Sequence, residues 1–248
     1  MTSSDVRRAD SRSELATSVA AALLERLALA QARGDVPQIG LTGGSIADEL
    51  HREVARLSPG SGVDWSRVVL WWGDERWLPA GDPDRNEVQA HDAFITALGV
   101  DPANVHPMPA SDDGLSLDDA AAAYGETIRE FGAGSFEVLM LGIGPDGHVA
   151  SLFPGHPAAV VRDAIVVPVE DSPKPPPERL SLTFEAMDRS DAVWFVAAGE
   201  DKAGAVAAAM SGPAAIGSPE AVECPARVPR GTVETLWWLD PDSAHLLT

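Results

Sequence analysis

Val138-Leu139-Met140-Leu141-Gly142-Ile143-Gly144-Pro145-Asp146-Gly147-His148-Val149-Ala150-Ser151-Leu152-Phe153-Pro154-Gly155 is the stretch on which the fold turns. An apolar run of one strand's length breaks into glycines and a proline, then carries an Asp and a His on one turn. Strands buried on both faces read as continuous apolar runs, and ligands of open α/β sheets bind beyond their carboxyl ends. Asp146 and His148 therefore emerge where a site is expected, two residues apart and able to aim at one small ligand. Spacing alone would equally fit a tight turn with a surface histidine.

Working outward, the same pattern recurs. Pro37–Leu41 is a short strand running into Thr42-Gly43-Gly44-Ser45, with a helix over Ile46–Leu57. Strand, Gly-rich turn and helix present backbone N–H groups and the positive helix end to an anion. Val68–Trp72 is a strand that delivers Gly73-Asp74-Glu75-Arg76-Trp77, charges that must be paired or bind something if buried. Ala192–Ala198 is a strand ending in Gly199-Glu200-Asp201-Lys202, ahead of a helix over Ala203–Met210. A cation at a helix start is at the wrong end of the dipole unless an anion bridges both. Further helices are expected over Ser13–Arg33, Glu87–Leu98, Ser116–Phe131 and Phe184–Arg189, and further strands over Ala164–Val169, Leu180–Phe184 and Gly231–Leu239. Residues 212–230 read as a Pro-rich connection. This alternation predicts an α/β chain, a three-layer, mostly parallel, Rossmann-like sheet, in a single domain over residues 1–248.

The chain has 248 residues and a formal net charge of −20. That charge argues against nucleic acid or an anionic membrane surface as partner. It also requires any anionic substrate to meet a local positive pocket. Lysine occurs only at Lys174 and Lys202, and the one cysteine, Cys224, cannot form an internal disulfide. Arg7, Arg8 and Arg12 precede an Ala-rich run, but Glu14, Glu25 and Arg26 interrupt it, so neither a signal peptide nor a membrane span is expected and the expected location is cytoplasmic.

Gly142-x-Gly144-x-x-Gly147 matches a dinucleotide fingerprint literally, yet Pro154-Gly155 leaves no room for the crossover helix and His148 crowds the pyrophosphate position. No Gly-x-Ser-x-Gly elbow, Walker A sequence or His-Glu-x-x-His occurs. Zinc on Asp74, Asp146 and His148 has no ligand spacing behind it. His51, His91, His106, His156 and His245 show no pairing pattern. What remains is an anion site of Thr42, Gly43, Gly44, Ser45, Arg76 and Lys202 beside an acid/base set of Asp74, Asp146 and His148.

Leu41–Ser45, Gly73–Pro79 with Asn86, Gly142–Gly155, Pro177-x-Arg179-Leu180-Ser181-Leu182-Thr183 and Gly199-x-x-Lys202 together resemble the 6-phosphogluconolactonase family, in order over nearly the whole chain. The wider superfamily includes the glucosamine- and galactosamine-6-phosphate isomerases. The resemblance implies a cofactor-free hydrolase of the oxidative pentose phosphate pathway that opens 6-phosphoglucono-δ-lactone, with no metal. Its implied partner is the sugar-phosphate lactone, and its implied state a monomer or weak homodimer. Arg179 joins the substrate-binding set through its place in the motif. His148 is expected to be the base acting on water, oriented by Asp146 or Asp74; the oxyanion donors are either Gly-rich turn N–H groups or Arg76. Two departures stand out. Ile46-Ala47 replaces a common Thr-Pro, and Arg85 replaces a common Ser, with an added positive charge expected in the active-site loop. The rivals are an amino-sugar-phosphate deaminase, similar in fold, and a sugar-phosphate-sensing module. The first needs a carboxylate where Ser151-Leu152-Phe153-Pro154 has none.

Overall fold

The computed structural model describes residues 4–247. In chain order the strands are β1 (Ser4–Arg8), β2 (Gln38–Leu41), β3 (Val69–Trp72), β4 (Asp74–Arg76), β5 (Val138–Leu141), β6 (Val166–Val169), β7 (Arg179–Leu182), β8 (Ala192–Ala197) and β9 (Glu234–Leu239). The helices are α1 (Arg12–Ala32), α2 (Ser45–Leu57), α3 (Asn86–Ala90), α4 (Thr96–Leu98), α5 (Leu117–Phe131), α6 (Phe184–Met187), α7 (Ala203–Met210), α8 (Pro219–Glu223) and α9 (Pro241–Ala244).

Six strands form a parallel sheet in the order β1-β9-β8-β5-β2-β3, flanked by helices. β2, β5 and β8 inside the sheet and β3 at its edge are buried along their whole length, as their apolar runs require. α1 buries Leu15, Val19, Leu23 and Leu27 at helical spacing, and the Ser11 hydroxyl caps it by accepting from the Glu14 N–H. By length and composition α1 could cross a membrane, but it packs against α2 and into the core instead. The mostly parallel α/β expectation is met.

The structure departs from the sequence reading in four places. β1 lies outside the expected strands: its residues are largely exposed, and among the described residues it pairs only with β9, Ser4 opposite Thr235. The charged stretch 74–76, expected as a strand-end loop, forms β4 in a second, antiparallel sheet ordered β4-β7-β6. The expected single helix over 87–98 is interrupted, with a π-turn at His91–Ile95 between α3 and α4. α8 lies inside the 212–230 connection, capped by Ser218.

Gly73 joins the two sheets. Its N–H donates to Leu41 in the parallel sheet, and its carbonyl accepts from Leu182 in the antiparallel one, at 2.9 Å each. A cleft lined from both sheets lies at this seam.

Candidate active site

β5 runs into a tight turn. The Gly144 N–H donates to the His148 carbonyl and the Gly147 N–H to the Gly144 carbonyl, both at 2.9 Å. The turn folds the Asp146 and His148 side chains back over Gly144. A Cβ there would lie 2.0 Å from His148 Nδ1 and 2.4 Å from Asp146 Oδ1, so any other residue would push the pair off the turn. Nδ1 and Oδ1 are 2.5 Å apart, and the imidazole leans on the Phe153 ring, 4.6 Å between centroids.

Burial lowers the His148 pKa below its ordinary value; Asp146 opposes that shift and Lys174 adds to it. The imidazole is therefore neutral at pH 7. With Nδ1–H donated to Asp146, the basic lone pair is on Nε2. Burial also pushes the Asp146 carboxyl upward, but the His148 contact and Lys174 outweigh it and hold the group below the usual carboxylate range. Of the two carboxylates that could orient His148, Asp146 touches it. Asp74 is instead tied to Ser151, whose hydroxyl donates to Oδ2 at 2.7 Å, and its carbonyl accepts from Asn86 Nδ2 at 2.9 Å.

Opposite this pair stands the open start of α2. Its cap residue Gly44 supplies no side-chain hydrogen bond, so the first N–H groups of a 13-residue helix face the cleft unspent by a cap. Thr42 Oγ1 accepts from the Gly142 N–H at 3.3 Å, and Ser45 Oγ accepts from Arg12 Nη2 at 2.9 Å. Gly43 is required for a reason the sequence did not suggest: a Cβ would sit 1.8 Å from Asn86 Oδ1. Arg76, Arg179, Lys202 and Lys174 complete the wall of a cleft of about 310 Å³. Four cations face two carboxylates there, in a chain of net charge −20.

All the residues expected at the site line this cleft or, for Asp146, contact its wall. Asn86, Ser151 and Lys174 were not among the candidates; Lys174 carried a signal in the scarcity of lysine. Arg85 does not act as expected. It is buried, and its guanidinium donates to the Met108 and Leu78 carbonyls at 2.7 and 3.2 Å, with Glu87 and Glu75 within 3.6 and 3.9 Å. It braces its loop from behind and adds no charge to the cleft. A second cleft, of about 420 Å³ around Phe136 and Ile165, lies at the opposite ends of the strands and contains no histidine. Among the described residues no group of three or more His, Cys, Asp or Glu is placed to hold a metal.

The fold and cleft define a Rossmann-like α/β protein with a cation-lined cleft and a histidine at its strand ends. The chain belongs to the family described as glucosamine-6-phosphate isomerases/6-phosphogluconolactonase, whose profile matches residues 10–238. It is 44% identical over 242 residues to a 6-phosphogluconolactonase of Streptomyces coelicolor, covering 94% of this chain and 90% of that one. It is 43% identical over 216 residues to one of Mycobacterium tuberculosis, covering 84% of each. In fold it is similar to the Trypanosoma brucei 6-phosphogluconolactonase, with a TM-score of 0.83 at 22% identity over 100% of both chains. A monomeric glucosamine-6-phosphate deaminase shares the fold at a TM-score of 0.79 and 19% identity, covering 98% of this chain and 99% of that one.

Proposed function

We propose that this protein hydrolyses 6-phospho-D-glucono-1,5-lactone to 6-phospho-D-gluconate. The carrying observation is the neutral His148, hydrogen-bonded through Nδ1 to Asp146, in a cleft walled by cations. A lactone is an activated ester, so a positioned base acting on water suffices without a covalent nucleophile. His148 Nε2 takes a proton from water as its oxygen attacks C1 and the carbonyl electron pair moves to oxygen. Asp146 stabilises the imidazolium so formed. As the tetrahedral intermediate collapses, the bond from C1 to the ring oxygen breaks and His148 returns the proton to that oxygen.

The phosphate is assigned to the α2 start (Thr42, Gly43, Gly44, Ser45) with Arg76 and Lys202, where N–H groups and cations converge. Asp74 holds the seam through Ser151 and Asn86. Arg179 lines the cleft, but Nε and Nη2 donate to the carbonyls of Pro176, Lys174 and Pro175, so it contributes to the substrate side through Nη1. The reading includes a single domain, a cytoplasmic location and action as a monomer or weak homodimer, none of which the chemistry depends on.

The test is acid release from freshly generated 6-phosphogluconolactone, read against its fast spontaneous opening. Wild type should accelerate it strongly and should handle the unphosphorylated lactone poorly. No acceleration would overturn the reading, and equal rates on both lactones would remove the phosphate site. Ammonia release from glucosamine 6-phosphate would point to the deaminase branch of the family.

A further inference from the structure

The mechanism above leaves the oxyanion without a named partner. The glycine N–H groups of the 142–147 turn are already spent, Gly142 on Thr42, Gly144 on His148 and Gly147 on Gly144, and those at the α2 start are assigned to the phosphate. The cations of the cleft differ in what they have left to give. Arg179 gives Nε and Nη2 to three loop carbonyls and keeps only Nη1, Arg76 gives Nη1 to the carbonyl of Asp84, and Lys202 pairs with Asp201 at 3.1 Å. Lys174 is different. Its Nζ lies 3.9 Å from Asp146 Oδ1, the oxygen that also meets His148 Nδ1, and among the described residues the ammonium makes no hydrogen bond.

We propose that Lys174 is a catalytic residue, its ammonium donating a hydrogen bond to the oxyanion that forms at the lactone carbonyl. This rests on the hydrolase reading and deepens it. Three points of placement support it. The ammonium stands at the reacting end of the cleft, beside the His148–Asp146 pair. Its backbone is pinned: the Lys174 N–H donates to Ser172 Oγ at 3.2 Å, and its carbonyl accepts from Ser172 and Arg179. Pro173 and Pro175 flank it, so only the four-carbon stem moves. Burial lowers the Lys174 pKa; Asp146 opposes this, and Lys202 and Arg179 reinforce it. A more acidic ammonium is a stronger donor to a developing negative charge. No proton leaves Lys174 in the step: the carbonyl π pair becomes the oxyanion lone pair, the ammonium bonds to it, and the bond loosens as the carbonyl re-forms.

Lys174→Met and Lys174→Arg separate the possibilities, with wild type assayed first on 6-phosphogluconolactone. Lys174→Met should lower kcat by about 10²-fold, the usual worth of one oxyanion donor, with KM little changed. Lys174→Arg should recover part of that loss. The acid limb of the kcat–pH profile supplies a second readout. His148 faces Asp146 on its own turn, Asp74 from β4, Lys174 from the Pro-rich loop, and the Phe153 ring with Arg179 above it. Removing the Lys174 charge favours imidazolium, so the limb should move to higher pH in Lys174→Met and stay in place in Lys174→Arg. A raised KM with unchanged kcat would place Lys174 on the phosphate and overturn the proposal, as would wild-type kinetics in Lys174→Met. A wild type that does not speed lactone opening overturns the hydrolase reading and this inference together, an outcome distinct from any result with the variants.

Discussion

His148 is positioned by its chain neighbours more than by distant ones: Gly144 makes room for it, Asp146 binds its Nδ1, and Phe153 backs the ring. Replacing it with Asn should lower kcat by about 10²–10⁴ and leave KM nearly unchanged. Because its pKa is lowered, the base stays free in mildly acid solution, and the acid limb of kcat/KM should fall below pH 6.5. Steady-state rates across pH 5–8 check both. Glu75 is a second titrating group, with no place in the chemistry. Burial raises its pKa to about 7, against the N–H donations it receives from Glu87, Asn86 and Arg76 and the nearby Arg85 charge. The unfolded chain releases this proton near 4.5, so between the two values the folded state binds more protons. Stability from this group is therefore full below about pH 4.5 and declines as pH rises through 7, by about 3 kcal/mol at most. Urea titrations at several pH values should show that decline, and Glu75→Gln should flatten it.

At the level of elements, the buried strands were legible because a strand covered on both faces must be apolar throughout, as Val138–Leu141 and Ala192–Ala197 are. β1 and β4 were not, for a physical reason. Ser4–Arg8 is an edge strand whose charged side chains face solvent, and Asp74–Arg76 is held as a strand by antiparallel pairing to Arg179–Leu182, which no local pattern announces. The site was legible to the same extent. Asp146 and His148 share one turn, whereas Lys174, Asn86 and Ser151 depend on how separate loops fold together. Arg85 shows the limit from the other side, since a cation near the active-site motif turned out to point inward. Its guanidinium ties the segment after β4 to the Met108–Pro109 turn. Arg85→Ser should cost about 3 kcal/mol by removing those bonds and the charge beside Glu75. Activity per folded molecule should stay near wild type; denaturation midpoints and active-site-normalised rates test the two halves separately.

For the whole molecule, the net charge of −20 opposes an anionic substrate at long range, while the cleft's cations attract it at short range. The two fields are screened over different distances. The Debye length is about 30 Å at 0.01 M salt and about 10 Å at 0.1 M. Raising salt over that interval should suppress the general repulsion first and increase kcat/KM, and molar salt should then decrease it as the local contacts are screened. A monotonic fall from the lowest salt would mean that the cleft governs even the distant field. The parallel sheet also carries a consequence for how the chain is made. Among the described residues β1 pairs only with β9, Ser4 facing Thr235, a partner that lies far along the chain. During synthesis β1 must therefore wait, without its neighbour, until β9 has been made. Asp5, Arg7 and Arg8 suit that interval, since charges on an unpaired strand discourage it from joining another chain, and this edge of the sheet closes only once β9 is available.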